Sequence, residues 1–212
     1  MPESENSKKK VAIIGLGLLG ASMGMALMDK NYIRLGWTRN PAVRAWAIKE
    51  KVLDYTTDNI DEILAQADIT VLCLPIPQIM NYIKNYATCW KPGSIVTDIG
   101  SVKEVIVKCG EEYLQPRGVH FVGSHPMAGT EKAGPESAFS TLYANAEVFI
   151  TTTANTDKTA YQQIVRLWEN MGTRTVTVGA KEHDILVAHT SHLSHILALA
   201  LTEAGHLMPL TA

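Results

Sequence analysis

The sequence predicts an α/β domain of the doubly wound type, and three observations carry that prediction. Short β-branched runs alternate with helical patterns from Val11 to Gly179, as expected of parallel strands joined by crossover helices. The first of these runs leads directly into Gly15-Leu16-Gly17-Leu18-Leu19-Gly20, a glycine turn set between a strand and a helix. From Ala180 the pattern changes to a long helical stretch. The chain therefore divides into a polar tail over 1–10, an α/β domain over 11–179 and a helical segment over 180–212.

Residues 1–10 hold too little apolar surface to fold and are expected to form a disordered tail. Val11–Ile14 predicts a buried parallel strand, and Ala21–Asp29 the helix that follows it. In that setting the three glycines have separate tasks. Gly15 makes the tight turn, Gly17 lets the backbone approach a pyrophosphate, and Gly20 lets helix and strand pack closely. Leu18 and Leu19 lie between them, where the free N–H groups of the helix start and its positive dipole end favour an anion. A Rossmann-type dinucleotide site follows from this arrangement.

The second strand, Tyr32–Trp37, ends roughly 20 residues past the first glycine, where an NAD site usually carries Asp or Glu. Here the chain reads Trp37-Thr38-Arg39-Asn40 and offers no carboxylate. Arg39 and the Thr38 hydroxyl suit a 2′-phosphate instead, so NADP is the expected cofactor and NAD the alternative. The plainer reading is an Arg39 that only faces solvent beside Asn40 and Pro41, the N-cap and first residue of the next helix.

Helices over Pro41–Val52 and Asp58–Gln66 lead to a strand at Ile69–Leu74, and Leu74 and Pro75 are expected to line the cofactor groove. A helix over Pro77–Trp90 and a strand over Ser94–Asp98 follow. Ser101 and Glu104 then have capping-box spacing at the start of a helix over Val102–Leu114. Ser101 reads either as that cap or as a hydroxyl that meets substrate. The apolar run Val119–Val122 predicts a strand opening into a turn, Gly123–Gly134, of sequence GSHPMAGTEKAG. This places His125 just outside a strand's carboxyl end, where open α/β sheets bind ligands. A strand over Ala146–Thr152, a helix over Asp157–Met171 and a strand over Thr173–Val178 complete the α/β part.

Composition narrows the function classes. A chain of 212 residues, 46% hydrophobic and 19% charged, can bury a full core. A formal net charge of -2, with no basic run longer than Lys8-Lys9-Lys10, argues against a nucleic-acid partner. Cys73, Cys89 and Cys109 are odd in number and form no C-x-x-C pair, which points to a reducing compartment. With no signal-peptide pattern and no apolar run long enough to span a bilayer, a cytoplasmic protein without membrane contact is expected. His189, His192 and His195 invite a metal reading, but spacing of three and three fans the first and last rings to different helix faces, and no carboxylate or Cys completes a set. No metal is expected. A polar patch for an anion is the better use of Ser191, His192 and His195.

In combination, GLGLLGAS, DIGSVK, GSHPMAGTEKAG and AHTSHLSH resemble the prephenate/arogenate dehydrogenase family from Val11 to Leu207. The resemblance implies NAD(P)-dependent oxidative decarboxylation of a cyclohexadienol, yielding 4-hydroxyphenylpyruvate or tyrosine in tyrosine biosynthesis. It implies His125 as the group that accepts the ring hydroxyl proton, and Ser101 as its hydrogen-bonding neighbour. Thr130, Glu131, Ser191, His192 and His195 are implied around the substrate. The family continues into an all-α dimerisation domain carrying an arginine for a substrate carboxylate, so residues 180–212 are expected to be the first helix of that domain, and a homodimer through this region is expected. Two alternatives stand beside this reading: an NADP-binding protein without dehydrogenase activity, and a β-hydroxyacid dehydrogenase, for which Lys181 is the available lysine on the final helix.

Overall fold

The computed structural model describes the backbone of residues 8–207, and the side chains of all of these except 191–195 and 204–207. The expected doubly wound architecture is present. Six parallel strands form one sheet in the order β3-β2-β1-β4-β5-β6. These are β1 (Lys9–Ile14), β2 (Tyr32–Trp37), β3 (Tyr55–Thr56), β4 (Ile69–Leu72), β5 (Ile95–Asp98) and β6 (His120–Phe121). The helices between them are α1 (Leu18–Ala26), α2 (Pro41–Lys49), α3 (Ile60–Gln66), α4 (Ile76–Asn85) and α5 (Glu104–Tyr113). The strands β4 and β5 are buried along their whole length and β1 from Val11 onward, because helices cover both sheet faces, and Val11, Ala12, Ile13 and Ile14 are wholly buried.

The edges of several elements differ from the expectation for local reasons. The first strand begins at Lys9 rather than Val11, because the backbone of Lys9 and Lys10 pairs with Tyr32 and Ile33 of β2, and the tail expected before it lies, over 1–7, outside the described residues. The first helix starts at Leu18, inside the glycine turn, with Gly17 as its N-cap residue. Asn40 caps α2 through its side chain, which accepts from the Ala42 N–H, and Pro41 follows it as expected.

The largest refinement concerns the chain after β6. It leaves the parallel sheet and builds a second sheet of three strands, β7 (Gly123–Pro126), β8 (Glu147–Thr152) and β9 (Arg174–Gly179), in that order. Strand β7 runs antiparallel to β8, and β8 parallel to β9 across helix α6 (Lys158–Glu169). His125 therefore lies within a strand, paired with Phe149, and not in the turn that the glycines and proline suggested. The C-terminal stretch is helical as expected but not uniformly so. It comprises α7 (Ala180–Val187), a π turn (Ala188–His192) and α8 (Leu193–Leu207). No helix among the described residues is long and apolar enough to cross a membrane.

Candidate functional site

The strand order reverses between β1 and β4, both hydrogen-bonded neighbours running parallel, and this is where a doubly wound sheet opens a crevice at its carboxyl end. A cleft of about 660 Å³ lies there. Its first wall is the glycine turn. Gly15 has φ +98°, a conformation natural only to glycine, and a Cβ on it would stand 2.3 Å from the Cys73 carbonyl oxygen. A Cβ on Gly20 would stand 1.9 Å from the Gly15 carbonyl oxygen. Gly17 differs, since nothing lies within 4 Å of where its Cβ would be. That open space in front of the α1 N-terminus is what a dinucleotide's pyrophosphate needs, and Gly17, Leu18, Leu19 and Gly20 all face the cleft. The residues present thus fit the cofactor that the motif implies. Leu74 and Pro75 line the same cleft, as expected from the end of β4.

The opposite wall comes from the ends of β5 and β7. Gly100 and Ser101 line it, as do His125 and Pro126, and the loop beyond them contributes Gly129, Thr130 and Lys132. His125 is 8% exposed. Its Nδ1 lies 2.9 Å from Nε2 of His183, a wholly buried ring on α7. His183 Nδ1 lies in turn 2.8 Å from Oδ1 of Asp184. The same carboxylate accepts the backbone N–H of Lys103 at 2.6 Å and of Glu104 at 3.0 Å, so Asp184 caps α5 from another helix. The capping-box reading of Ser101 is overturned here. The N-cap residue of α5 is Lys103, without a side-chain cap of its own, and Ser101 sits exposed in the bend before it.

Beneath this wall lies a buried ion pair. Lys103 Nζ bonds to Asp98 and donates to the Ser124 carbonyl at 2.8 Å, with both charged side chains fully excluded from solvent. Asp98 also accepts from the Gly100 N–H at 2.8 Å and the Ser124 N–H at 3.2 Å. One carboxylate thus holds the residues immediately before Ser101 and His125. Burial pushes the Lys103 ammonium below its ordinary pKa even though Asp98 supports its charge. Burial likewise lowers His183, against the opposing pull of Asp184. For Asp184 burial pushes upward, but the N–H bonds from Glu104 and Lys103 and the His183 contact hold it below the usual carboxylate range.

The remaining expected residues are distributed unevenly. Thr38 and Arg39 follow β2, outside the residues lining the cleft, with Arg39 exposed. Arg44 braces this segment by donating to the Thr38 carbonyl at 2.6 Å. Thr130 lines the cleft and accepts from the Lys132 N–H at 3.1 Å. Glu131 is exposed and does not line it, whereas its neighbour Lys132 does. The side chains of Ser191, His192 and His195 lie outside the described residues. Their backbone passes from a π turn at Ala188–His192 into α8 at Leu193. Lys181 lies with Glu104 and Thr153 along a separate hollow and is absent from the cleft lining, which removes the support for a catalytic lysine. Sequence reasoning missed His183, Asp184, Asp98 and Lys103. The signal available was a charged pair bracketing DIGSVK between apolar runs, and a His-Asp pair at the start of a helix.

The family model described as the prephenate dehydrogenase nucleotide-binding domain matches residues 27–177. The chain belongs to this family. A cyclohexadienyl dehydrogenase of Zymomonas mobilis is 35% identical over 198 residues, covering 91% of this chain and 66% of that protein. Among solved structures, prephenate dehydrogenase from A. aeolicus in complex with hydroxyphenyl propionate and NAD+ superimposes with a TM-score of 0.87 at 31% identity, covering 97% of this chain and 73% of the other. Synechocystis arogenate dehydrogenase gives a TM-score of 0.86 at 29% identity, covering 95% and 71%. The chain spans between 53% and 66% of the length of the first three curated relatives it matches.

Proposed function

We propose that this chain is the nucleotide-binding and catalytic part of an NAD(P)-dependent dehydrogenase that oxidatively decarboxylates prephenate or arogenate. The observation that carries the reading is His125, an imidazole built into a strand and facing the same cleft as the glycine turn. The names of the relatives support the substrate class.

In this mechanism the α1 N-terminus and the backbone of Gly17–Gly20 hold the cofactor's phosphates. A bound nicotinamide cofactor would supply the hydride acceptor for the ring carbon that bears the hydroxyl. His125 takes the hydroxyl proton as the C–O bond gains carbonyl character, a role suited to an imidazole working near neutral pH. Ser101 hydrogen-bonds the same hydroxyl and holds it toward the ring nitrogen. Loss of CO2 then leaves an aromatic ring, and aromaticity drives the step. Thr130 stands at the cleft wall, and Glu131, Ser191, His192 and His195 are assigned to the substrate by resemblance to the family alone.

NADP is the cofactor favoured by this reading, on the absence of a carboxylate after β2 and the presence of Arg39 and Thr38 there. A homodimer is favoured by the apolar residues that α7 and α8 expose, among them Ile185, Ile196, Leu197, Leu199 and Leu201.

Turnover of prephenate and arogenate, each with NAD and NADP, tests the activity directly. His125→Asn should keep cofactor affinity and lower turnover by about 100-fold or more, the usual worth of a general base. Near-normal turnover in that variant would remove His125 from the chemistry.

A further inference from the structure

We propose that Asp184 and His183 are positioning residues that set the proton on His125, holding its ring in the tautomer that carries the proton on Nδ1 and the lone pair on Nε2. This rests on the reading of His125 as the base and adds the device that makes it one. Neither positioning residue lines the cleft; both act through the ring that does.

The argument follows hydrogen-bonding capacity along the chain of contacts. Asp184 accepts from two backbone N–H groups of α5 and is held ionised at neutral pH, so it offers only lone pairs to its third partner. The His183 Nδ1 at 2.8 Å from it must therefore carry a proton. A neutral imidazole carries only one, which leaves His183 Nε2 as an acceptor. The atom facing it at 2.9 Å is His125 Nδ1, which must then be the donor. In a neutral His125 the lone pair falls on Nε2. An imidazole with its proton on Nε2 and its lone pair spent on His183 could accept nothing from a substrate hydroxyl.

The direction of this relay depends on His183 staying neutral. An imidazolium there would donate from both nitrogens, invert the His125 contact and put the His125 proton on Nε2. The surroundings of His183 decide against that. The ring is fully buried and meets Phe149 of β8 edge-on at 5.3 Å between centroids and His125 of β7 at 5.1 Å. The charged groups acting on it are Asp184 beside it on α7, Lys103 at the start of α5 and Asp98 at the end of β5. Burial and Lys103 disfavour a proton, Asp184 and Asp98 favour one, and burial is the largest. The relay therefore holds above the range where His183 titrates and inverts below it.

Nitrogen-15 NMR of histidine-labelled protein reads the tautomers without substrate or cofactor, on the 212-residue chain itself. At pH 8 the ring nitrogens of His125 and His183 should both report Nδ1–H with an unprotonated Nε2, the minor form of a free histidine side chain in water. A His125 proton on Nε2 at that pH overturns the proposal. In Asp184→Ala no acceptor is left to fix the proton on His183 Nδ1, and the His125 signals should move toward Nε2–H. Unchanged tautomers in a folded variant would show that Asp184 does not set them and would overturn the proposal too. If the variant does not fold, the wild-type spectrum alone decides. The two readings fail separately: an inactive chain with both rings Nδ1-protonated refutes the dehydrogenase and leaves the relay, while an active chain with His125 protonated on Nε2 refutes only the relay.

Discussion

The two walls of the cleft are built from different materials. The glycine wall is backbone, with N–H groups at a helix start and glycines whose missing side chains leave room for a ligand or for a close crossing. The histidine wall is side chains, and it is held by three segments far apart in sequence, at Asp98–Lys103, Ser124–His125 and His183–Asp184. A phosphate needs only partial positive charge and space, which a turn of contiguous residues supplies. A proton acceptor needs a defined tautomer at a defined point, and that requires partners which themselves have to be fixed. The first wall is therefore local and the second is distributed.

The contrast can be broken most severely at the ion pair under the histidine wall. Lys103→Met should leave the Asp98 carboxylate buried without a countercharge and destabilise the chain by about 3–5 kcal/mol, read as a lower denaturant midpoint. A loss below 1 kcal/mol would mean that Asp98 takes up a proton or water there at little cost. On the other wall, Gly20→Ala drives a Cβ against the Gly15 carbonyl, where the colliding atom is backbone and cannot swing aside. A stability loss of about 3 kcal/mol is expected, at the upper end for overpacking, together with lost cofactor affinity. A cofactor titration that matches wild type would separate the glycine turn from binding. The smallest effect belongs to Arg39→Ala, which should weaken NADP by about 1.5 kcal/mol, near tenfold, and leave NAD unchanged. Equal losses for both cofactors would place Arg39 elsewhere in the site.

The same contrast explains what could be read from the sequence. Strand β2 was legible to the residue, and β1, β4 and β5 nearly so, because buried parallel strands have a local composition. The glycine turn was legible because its three glycines answer steric demands within a few residues of one another. His125 was recognised as the ionisable group of interest, but Gly123 and Pro126 beside it suggested a turn, and only the pairing of β7 with β8 makes it a strand. Ser101 and Glu104 had the spacing of a cap, yet the cap comes from Asp184, some eighty residues away in the chain, a distance no local pattern encodes. His183 was visible as one histidine among several near the C-terminus. Its role depends on α7 docking against α5 and β8, and that is a tertiary fact.

The π turn at Ala188–His192 gives the C-terminal helices a separate degree of freedom. A residue added or removed within a helix turns everything beyond it by about 100°. Deleting one residue between 188 and 192, so that the turn closes as an ordinary α-helix, would swing the exposed Ile196, Leu197, Leu199 and Leu201 of α8 around its axis while the contact of His183 on α7 with His125 stays in place. The angular phase of α8 is thus written in the length of one short turn, and the placement of His125 is not. Helix α8 can be re-aimed toward a different neighbour by a single-residue change in length, without altering a residue of the cleft lining.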